Sequence, residues 1–226
     1  GKGVKPTFSL GFILTYLLKG SLMFFIWWLS PDVGLWLFIL YSAWHFGQAD
    51  FEEWGISSKG GAFLWGFWIL AFILTSHINE TNAVISQLGA NHIPMKSGLF
   101  FESLWIELLG VSAIALLFVL GNPRMLLSLI MLTISVELSL LLAFGLFFVF
   151  QHSVHGWVHI QSKFQESHFK LAQWAAPFSL GAIAIFFAFF FQGEQFWSEQ
   201  IGVFFIFLSC LSFPHVWEMH RFYRRL

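Results

Sequence analysis

The feature of this chain that most restricts its fold is a series of long apolar runs with almost no charged residues. Residues 125–134 and 186–191 leave little or no polar face for water. Charged residues make up only 10% of the 226-residue chain, whereas a soluble domain typically carries about 25%. Runs of about 20 apolar residues match the thickness of a bilayer core, where the backbone must pair internally and forms helices. We therefore predict an all-α fold, a polytopic bundle of transmembrane helices.

About eight apolar segments are predicted to cross the membrane. Turn chemistry separates them at residues 30–32, 60–61 and 121–124, and a further turn is placed near Glu137. Residues 78–97 are predicted to form a polar loop that could include an interfacial helix. We treat residues 1–226 as a single integral membrane domain, which a helix upstream of Gly1 could precede. The predicted spans are residues 8–29, 33–49, 61–76, 98–120, 125–136, 139–160, 171–191 and 196–217.

The lysines and arginines predict the orientation of these spans. If the N-terminus is cytoplasmic and the spans alternate, the cytoplasmic segments hold all but two of the 11 basic residues. Lys96 falls on the opposite side, and Lys19 lies within the first span. The net charge of −1, without a basic patch, gives no reason to expect a nucleic-acid partner.

Histidines from three predicted spans fall at the cytoplasmic side. His45 lies in the second span and His215 in the eighth, whereas His152, His155 and His159 share one face of the sixth because they are spaced by three and four residues. A lone histidine in a membrane helix would more simply be a packing hydrogen bonder. Ionisable residues from three spans at similar depth indicate a functional group, and we predict that it binds a metal ion.

The surrounding residues limit the chemistry of this site. Neutral imidazole suits Fe, Zn, Cu or Ni, and the single cysteine, Cys210, makes a thiolate ligand unexpected. A site of mostly histidine ligands with open positions favours catalysis over a closed structural role. Asp50 either accepts a hydrogen bond that orients a histidine or is an interfacial carboxylate at a helix end, and the pattern favours neither. The 31 phenylalanines suit a rigid apolar substrate, although packing explains any single one.

Three motifs resemble those of the Brp/Blh family of bacterial and archaeal β-carotene 15,15′-dioxygenases. Residues 42–50, Ser-Ala-Trp-His-Phe-Gly-Gln-Ala-Asp, resemble its His-Phe-Gly-x-x-Asp element. Residues 148–153, Phe-Val-Phe-Gln-His-Ser, are similar to its His-Ser-x-x-His helix, and residues 213–215, Phe-Pro-His, to its Pro-His element. Residues 77–81 are more distantly similar to a further family stretch. The matches run in the family's order along the chain.

Two departures from the family pattern leave the ligand set open. Gly156 stands where the family has the second histidine of the His-Ser element, so His155 or His159 would have to substitute. The family's Pro-His-Gly-Ala-x-Asp motif does not occur before His45. Either a further ligand comes from a helix upstream of this chain, or the site is assembled differently.

The resemblance implies a membrane-embedded Fe(II) enzyme that cleaves the central 15,15′ double bond of β-carotene with O₂ and releases two retinals. It implies a bacterial inner-membrane location and a retinal-binding rhodopsin as a downstream partner, and the predicted orientation puts the metal site toward the cytoplasmic side. Asp50 would support a ligand through a hydrogen bond. The histidines assigned to the metal are His45, His152 and His155 as catalytic ligands, with His159 and His215 as further ligands.

The sequence leaves other classes of function open. A membrane hydroxylase or desaturase acting on carotenoid or lipid would use about eight or more histidines for two metal ions, and counting the metal ions per chain would separate it. A non-enzymatic haem- or carotenoid-binding membrane protein would show a Soret band if it held haem. A purely structural or transport protein would bind no metal at all.

Overall fold

The described part of this computed structural model, residues 10–91, 110, 112, 122–190 and 200–223, is all-helical and has no strand. This confirms the predicted all-α class. The helices are α1 (Leu10–Leu29), α2 (Pro31–Trp54), α3 (Lys59–Ser76), α4 (Ile78–Gln87), α5 (Pro123–Ser135), α6 (Leu140–Leu146), a π-helical segment (Phe147–Ser153), α7 (Val154–Phe164), α8 (His168–Phe190) and α9 (Ile201–Tyr223).

Five of the described helices are long and apolar enough to cross a membrane. They overlap the predicted first, third, sixth, seventh and eighth spans. Exposed apolar side chains such as Phe178, Leu180 and Ile183 on α8 give these helices a surface suited to lipid. The five segments are Leu10–Leu29, Lys59–Ser76, Leu140–Ser162, His168–Ala188 and Ile201–Arg221.

The prediction of about eight spans is not confirmed. The predicted second span lies in α2, which carries four acidic residues and is not among the five. The predicted fifth span forms α5, with only 13 residues. The predicted fourth span, residues 98–120, lies outside the described residues except for positions 110 and 112. The turn near Glu137 is present between α5 and α6, and the polar stretch after residue 77 contains α4.

The chain divides into two compact units, and one boundary falls inside α2 between Phe38 and Ile39. The first unit comprises Gly1–Phe38, Gln87–Ala90 and Gly156–Leu226. Within it α1 packs along α9. Trp27 Nε1 donates a hydrogen bond of 2.7 Å to Ser209 Oγ, and the Tyr16 hydroxyl donates one of 3.0 Å to the Leu211 carbonyl. These bonds satisfy polar groups that would otherwise face an apolar surrounding.

The second unit, Ile39–Ser86 and Asn91–His155, is built on a close crossing of α2 and α3. A Cβ atom at Gly47 would overlap the carbonyl oxygen of Ala62, and one at Gly66 would overlap that of Ala43. Only glycine lets the two backbones approach this closely, as small residues do in membrane helix pairs. The crossing fixes the depth of α2 residues near Gly47, including His45, relative to α3.

The same unit holds the beginning of the long helix formed by α6, the π-helical segment and α7. The ring nitrogens of His77, at the end of α3, lie 2.8 Å from the Ile73 carbonyl oxygen and 2.9 Å from that of Leu138. The backbone N–H of Leu140 donates a 2.8 Å hydrogen bond to Glu80 Oε2. A carboxylate at a helix N-terminus is electrostatically favourable, so this corner anchors the first turn of α6.

Candidate metal centre

Two of the predicted metal ligands meet in the second unit. His45 projects from α2 and is 4% exposed, and His152 projects from the π-helical segment. Their ring centroids are 4.7 Å apart with the rings at 74°, and their nearest ligand nitrogens lie within 4.8 Å of one another. Metal–imidazole bonds are about 2.0–2.1 Å long, so a small rotation of either ring lets both nitrogens bind one ion.

The π-helical segment explains how the helix presents two consecutive residues to α2. His152 contacts His45, while its neighbour Gln151 donates a hydrogen bond of 3.4 Å to Asp50 Oδ1. The wider π turn, with its i→i+5 bonding, reduces the angle between consecutive side chains. The Ser153 hydroxyl also donates to the carbonyl five residues earlier, at Phe148, with a distance of 2.9 Å. Segments of this kind often occur at functional sites.

Phenylalanine rings surround the histidine pair. The ring centroids of Phe46 and Phe148 lie 5.0 Å and 5.6 Å from that of His152, and Phe46 packs edge-on against Phe147 at 5.5 Å. Phe46 and Phe147 are almost completely buried. Such a wall limits the access of water, which strengthens electrostatic interactions inside the site.

Asp50 is a buried carboxylate, only 2% exposed, and not a solvated residue at a helix end. Its Oδ2 accepts a hydrogen bond of 2.8 Å from Trp65 Nε1, and its Oδ1 accepts the bond from Gln151. Trp65 is fully buried and stacks on Trp68 with ring centroids 5.3 Å apart. Burying a carboxylate is costly unless it is hydrogen-bonded, so these two donors hold Asp50 in place. Asp50 thereby connects α3 to the residue that precedes His152.

Sequence reasoning did not identify Trp65 or Gln151 as part of the site. The sequence pattern gives no sign that the indole of one tryptophan would point at Asp50. The sequence does offer a reason to include Gln151 in the site, because this polar residue lies in an apolar helix and directly precedes the predicted ligand His152.

The remaining three predicted ligands are His155, His159 and His215. The backbone of His155 belongs to α7, but its side chain lies outside the described part of the structure. His159 is half-buried on α7, and His215 directly follows Pro214 on α9, both within the first unit. The metal roles of these three histidines stay predictions. His168 is exposed and accepts a hydrogen bond of 2.8 Å from Trp157 Nε1.

The donor atoms of the pair fit a transition-metal ion. Two imidazoles, one of them buried, converge, and phenylalanine rings pack against them. Imidazole donors of this kind suit Fe, Zn, Cu or Ni and leave the hard, oxygen-preferring ions Mg²⁺ and Ca²⁺ unsuited. The geometry therefore supports metal binding and does not choose among these four metals.

Comparison with known proteins gives one family match. A family model described as beta-carotene 15,15'-dioxygenase matches residues 1–223. No curated protein and no solved structure matches the chain significantly. The matched range includes both helices that carry the histidine pair.

Proposed function

This chain belongs to the β-carotene 15,15′-dioxygenase family, and from that membership we propose that it cleaves the central 15,15′ double bond of β-carotene with O₂ to give two retinals. The observation that carries the proposal is the contact between His45 and His152 beside the rings of Phe46 and Phe148. A metal-binding pair in a dry, aromatic surrounding is what oxygen chemistry on an apolar polyene requires.

We propose Fe(II) as the ion, held by His45 and His152. Candidates for further ligands are His155, His159 and His215. We favour His215, because it stands in the family-like Pro-His element, whereas Gly156 replaces the family's second histidine on the helix of His152. When bound, iron would supply the activation of O₂, which protein side chains alone cannot provide.

The chain's own residues would position the substrate and the ligands. The half-buried ring of Phe148 would offer an apolar surface beside His152 against which a polyene can lie, which would hold its central bond near the histidine pair. The buried ring of Phe46 would support Phe148 from behind, and that of Phe147 would support Phe46. Hydrogen bonds from Trp65 and Gln151 to Asp50 fix α2 against the π-helical segment and so fix the spacing of the two imidazoles. No protein nucleophile or general base is required.

We propose that the reaction takes place within a membrane, with residues 1–226 forming one integral domain. Five described helices are long and apolar enough to span a bilayer, and β-carotene dissolves in the same phase. The substrate would then enter from the lipid rather than from water. A bacterial inner membrane, a cytoplasmic-side metal and a rhodopsin that accepts retinal belong to the same proposal.

The test is product analysis in cells that accumulate β-carotene. The wild-type chain, His45→Ala, His152→Ala and the control His168→Ala are expressed at matched levels. We expect bleaching and retinal with the wild type and with His168→Ala, whose side chain is exposed. Both ligand variants should retain carotenoid and lose bound iron.

Other results would redirect the assignment. Persistent carotenoid without retinal, from folded and iron-loaded wild-type protein, would refute the cleavage reaction. Two metal ions per chain would favour a hydroxylase or desaturase, and a Soret band would favour haem binding.

A further inference from the structure

α1 carries a charged residue in the middle of an otherwise apolar span. Lys19 is the tenth of the 20 residues of α1, which has a mean hydropathy of 1.7 and no other charged side chain. An ionisable residue at this depth is costly to insert and is usually retained for a function. The proposed cleavage chemistry does not use Lys19.

Lys19 has a carboxylate partner on α9. Its Nζ lies 2.7 Å from Glu218 Oε1, and the two side chains are 17% and 29% exposed. The same ammonium group sits 5.1 Å from the ring centroid of Trp217, and Arg221 Nη1 lies 3.8 Å from Glu218 Oε2. The arrangement is a primary amine with a close counter-ion beside an aromatic ring, all within the first unit.

Apolar surface borders this amine on α1. Leu18 and Leu22, adjacent to Lys19 in sequence and one turn later, are 71% and 51% exposed. In a membrane such a surface faces lipid, so a lipophilic molecule dissolved in the bilayer can approach the amine without crossing water. An aldehyde is the functional group with which a lysine amine condenses reversibly.

We propose that Lys19 captures retinal, the aldehyde product, as a Schiff base with Glu218 as its counter-ion. This inference rests on the proposed function for the identity of the aldehyde. The Lys19 ammonium passes a proton to Glu218, and the free amine attacks the carbonyl carbon. A carbon–nitrogen bond forms, the carbonyl oxygen leaves as water, and Glu218 returns its proton to the imine. No oxidant or reductant is consumed.

The charge balance explains why the ion pair suits this chemistry. A protonated imine carries the same single positive charge as the ammonium group that it replaces. Glu218 therefore faces a cationic partner before and after condensation. While the free amine reacts, the amine and the Glu218 carboxyl are both neutral, so no unpaired charge is left in the apolar surrounding. The product would stay bound in the membrane until water or another amine releases it.

The experiment adds all-trans-retinal to the purified full chain in lipid vesicles. Borohydride then reduces any imine to a stable amine, and peptide mass spectrometry locates the adduct. Lys19→Arg is the matched control, because arginine keeps the charge and can pair with Glu218 but forms no stable imine. We expect an adduct on residue 19 and a red-shifted absorbance band with the wild type, with at least a tenfold loss in Lys19→Arg.

A second variant tests the role of the counter-ion. Glu218→Gln should still form some adduct, with an altered absorbance maximum, because the neighbouring negative charge is lost. The proposal is overturned if folded wild-type protein gives no adduct at residue 19, or if Lys19→Arg is labelled to the same extent.

This outcome is separable from the cleavage reaction. Because retinal is supplied from outside, adduct formation is measured whether or not the protein cleaves β-carotene. Lys19→Arg should also keep the wild-type cleavage rate in carotenoid-accumulating cells. Cleavage without an adduct would refute only the proposed capture of retinal by Lys19. An adduct without cleavage would refute only the proposed cleavage reaction.

Discussion

At the scale of single residues, the site depends on a side chain that is neither a predicted ligand nor titratable. Gln151 is buried next to His152, and its amide donates to Asp50 across the helix contact. Because the backbone joins the two residues directly, the orientation of Gln151 constrains that of the imidazole. Residues that orient ligands in this way commonly matter almost as much as the ligands themselves.

Removing this amide should weaken metal binding without removing a ligand. We expect Gln151→Leu, which keeps the side chain's size but not its hydrogen bond, to lower metal affinity about 10- to 100-fold. The measurement is retention of iron, or of Co²⁺ read by its absorbance, during titration with a chelator. Gln173→Leu, at an exposed position on α8, is the control. Equal affinity of the Gln151 variant and the wild type would contradict this role.

At the scale of helices, the crossing of α2 and α3 determines where His45, on α2, lies relative to α3. The approach requires glycine at two positions, Gly47 and Gly66, because each faces a backbone carbonyl of the other helix. Backbone cannot move aside as a flexible side chain does. The hydrogen bond from Trp65 to Asp50 belongs to the same contact.

Alanine at either crossing glycine should separate the two helices. We expect Gly47→Ala and Gly66→Ala each to destabilise the fold by about 1 to 3 kcal/mol, as overpacking generally does. Gly181→Ala is the matched control, since a Cβ there meets open space and should stabilise α8 by about 0.5 to 1 kcal/mol. Unfolding in mixed detergent–SDS micelles measures the difference. Crossing variants as stable as the control would show that the helices can shift freely.

The sequence predicted helices best where an apolar run ends at turn residues. Residues 8–29 and 61–76 correspond closely to α1 and α3, and the turn near Glu137 lies where it was placed. The sequence predicted helix ends less well where packing against other helices determines them. α2 continues past the predicted end at residue 49 to Trp54, because buried contacts of Asp50 and Phe51 compensate the acidic residues there. The π-helical segment has no periodicity signal of its own.

The candidate site was predictable to a similar degree. The pairing of His45 with His152 followed from their types and predicted depth, and the structure brings them together. The hydrogen bonds of Asp50 could not be predicted, because a bond between distant helices depends on how those helices rotate. Which of the other histidines completes the site stays a prediction for the same reason.

At the scale of the whole molecule, the basic residues predict which way the chain enters a membrane. Lys59 and Arg124 stand at the first turns of α3 and α5, and Lys163, Lys170 and Arg221 lie near the ends of other helices. With an even number of crossings, both termini share one side, and the excess of lysine and arginine favours the cytoplasm.

Reporter fusions test this arrangement. A fluorescent protein at the C-terminus should fluoresce, and alkaline phosphatase at the same position should be inactive, because the predicted topology leaves the C-terminus in the cytoplasm. The same reporters placed within residues 78–97 should give the opposite pattern. A phosphatase-active C-terminus would mean an odd number of crossings and would overturn the predicted topology.

The π-helical segment has a consequence for the phase of the helix that contains it. A π turn accommodates one residue more than an α turn, so side chains after Ser153 are rotated by about 100° from where an uninterrupted α-helix would place them. The residues before it face the core through Leu140 and Ala143, and those after it, including His159, follow a different angular register. Losing a single residue from residues 147–153 would merge the two registers. His152 could then face His45 only if the whole helix on one side of His152 rotated, so that the side chains there left their present neighbours.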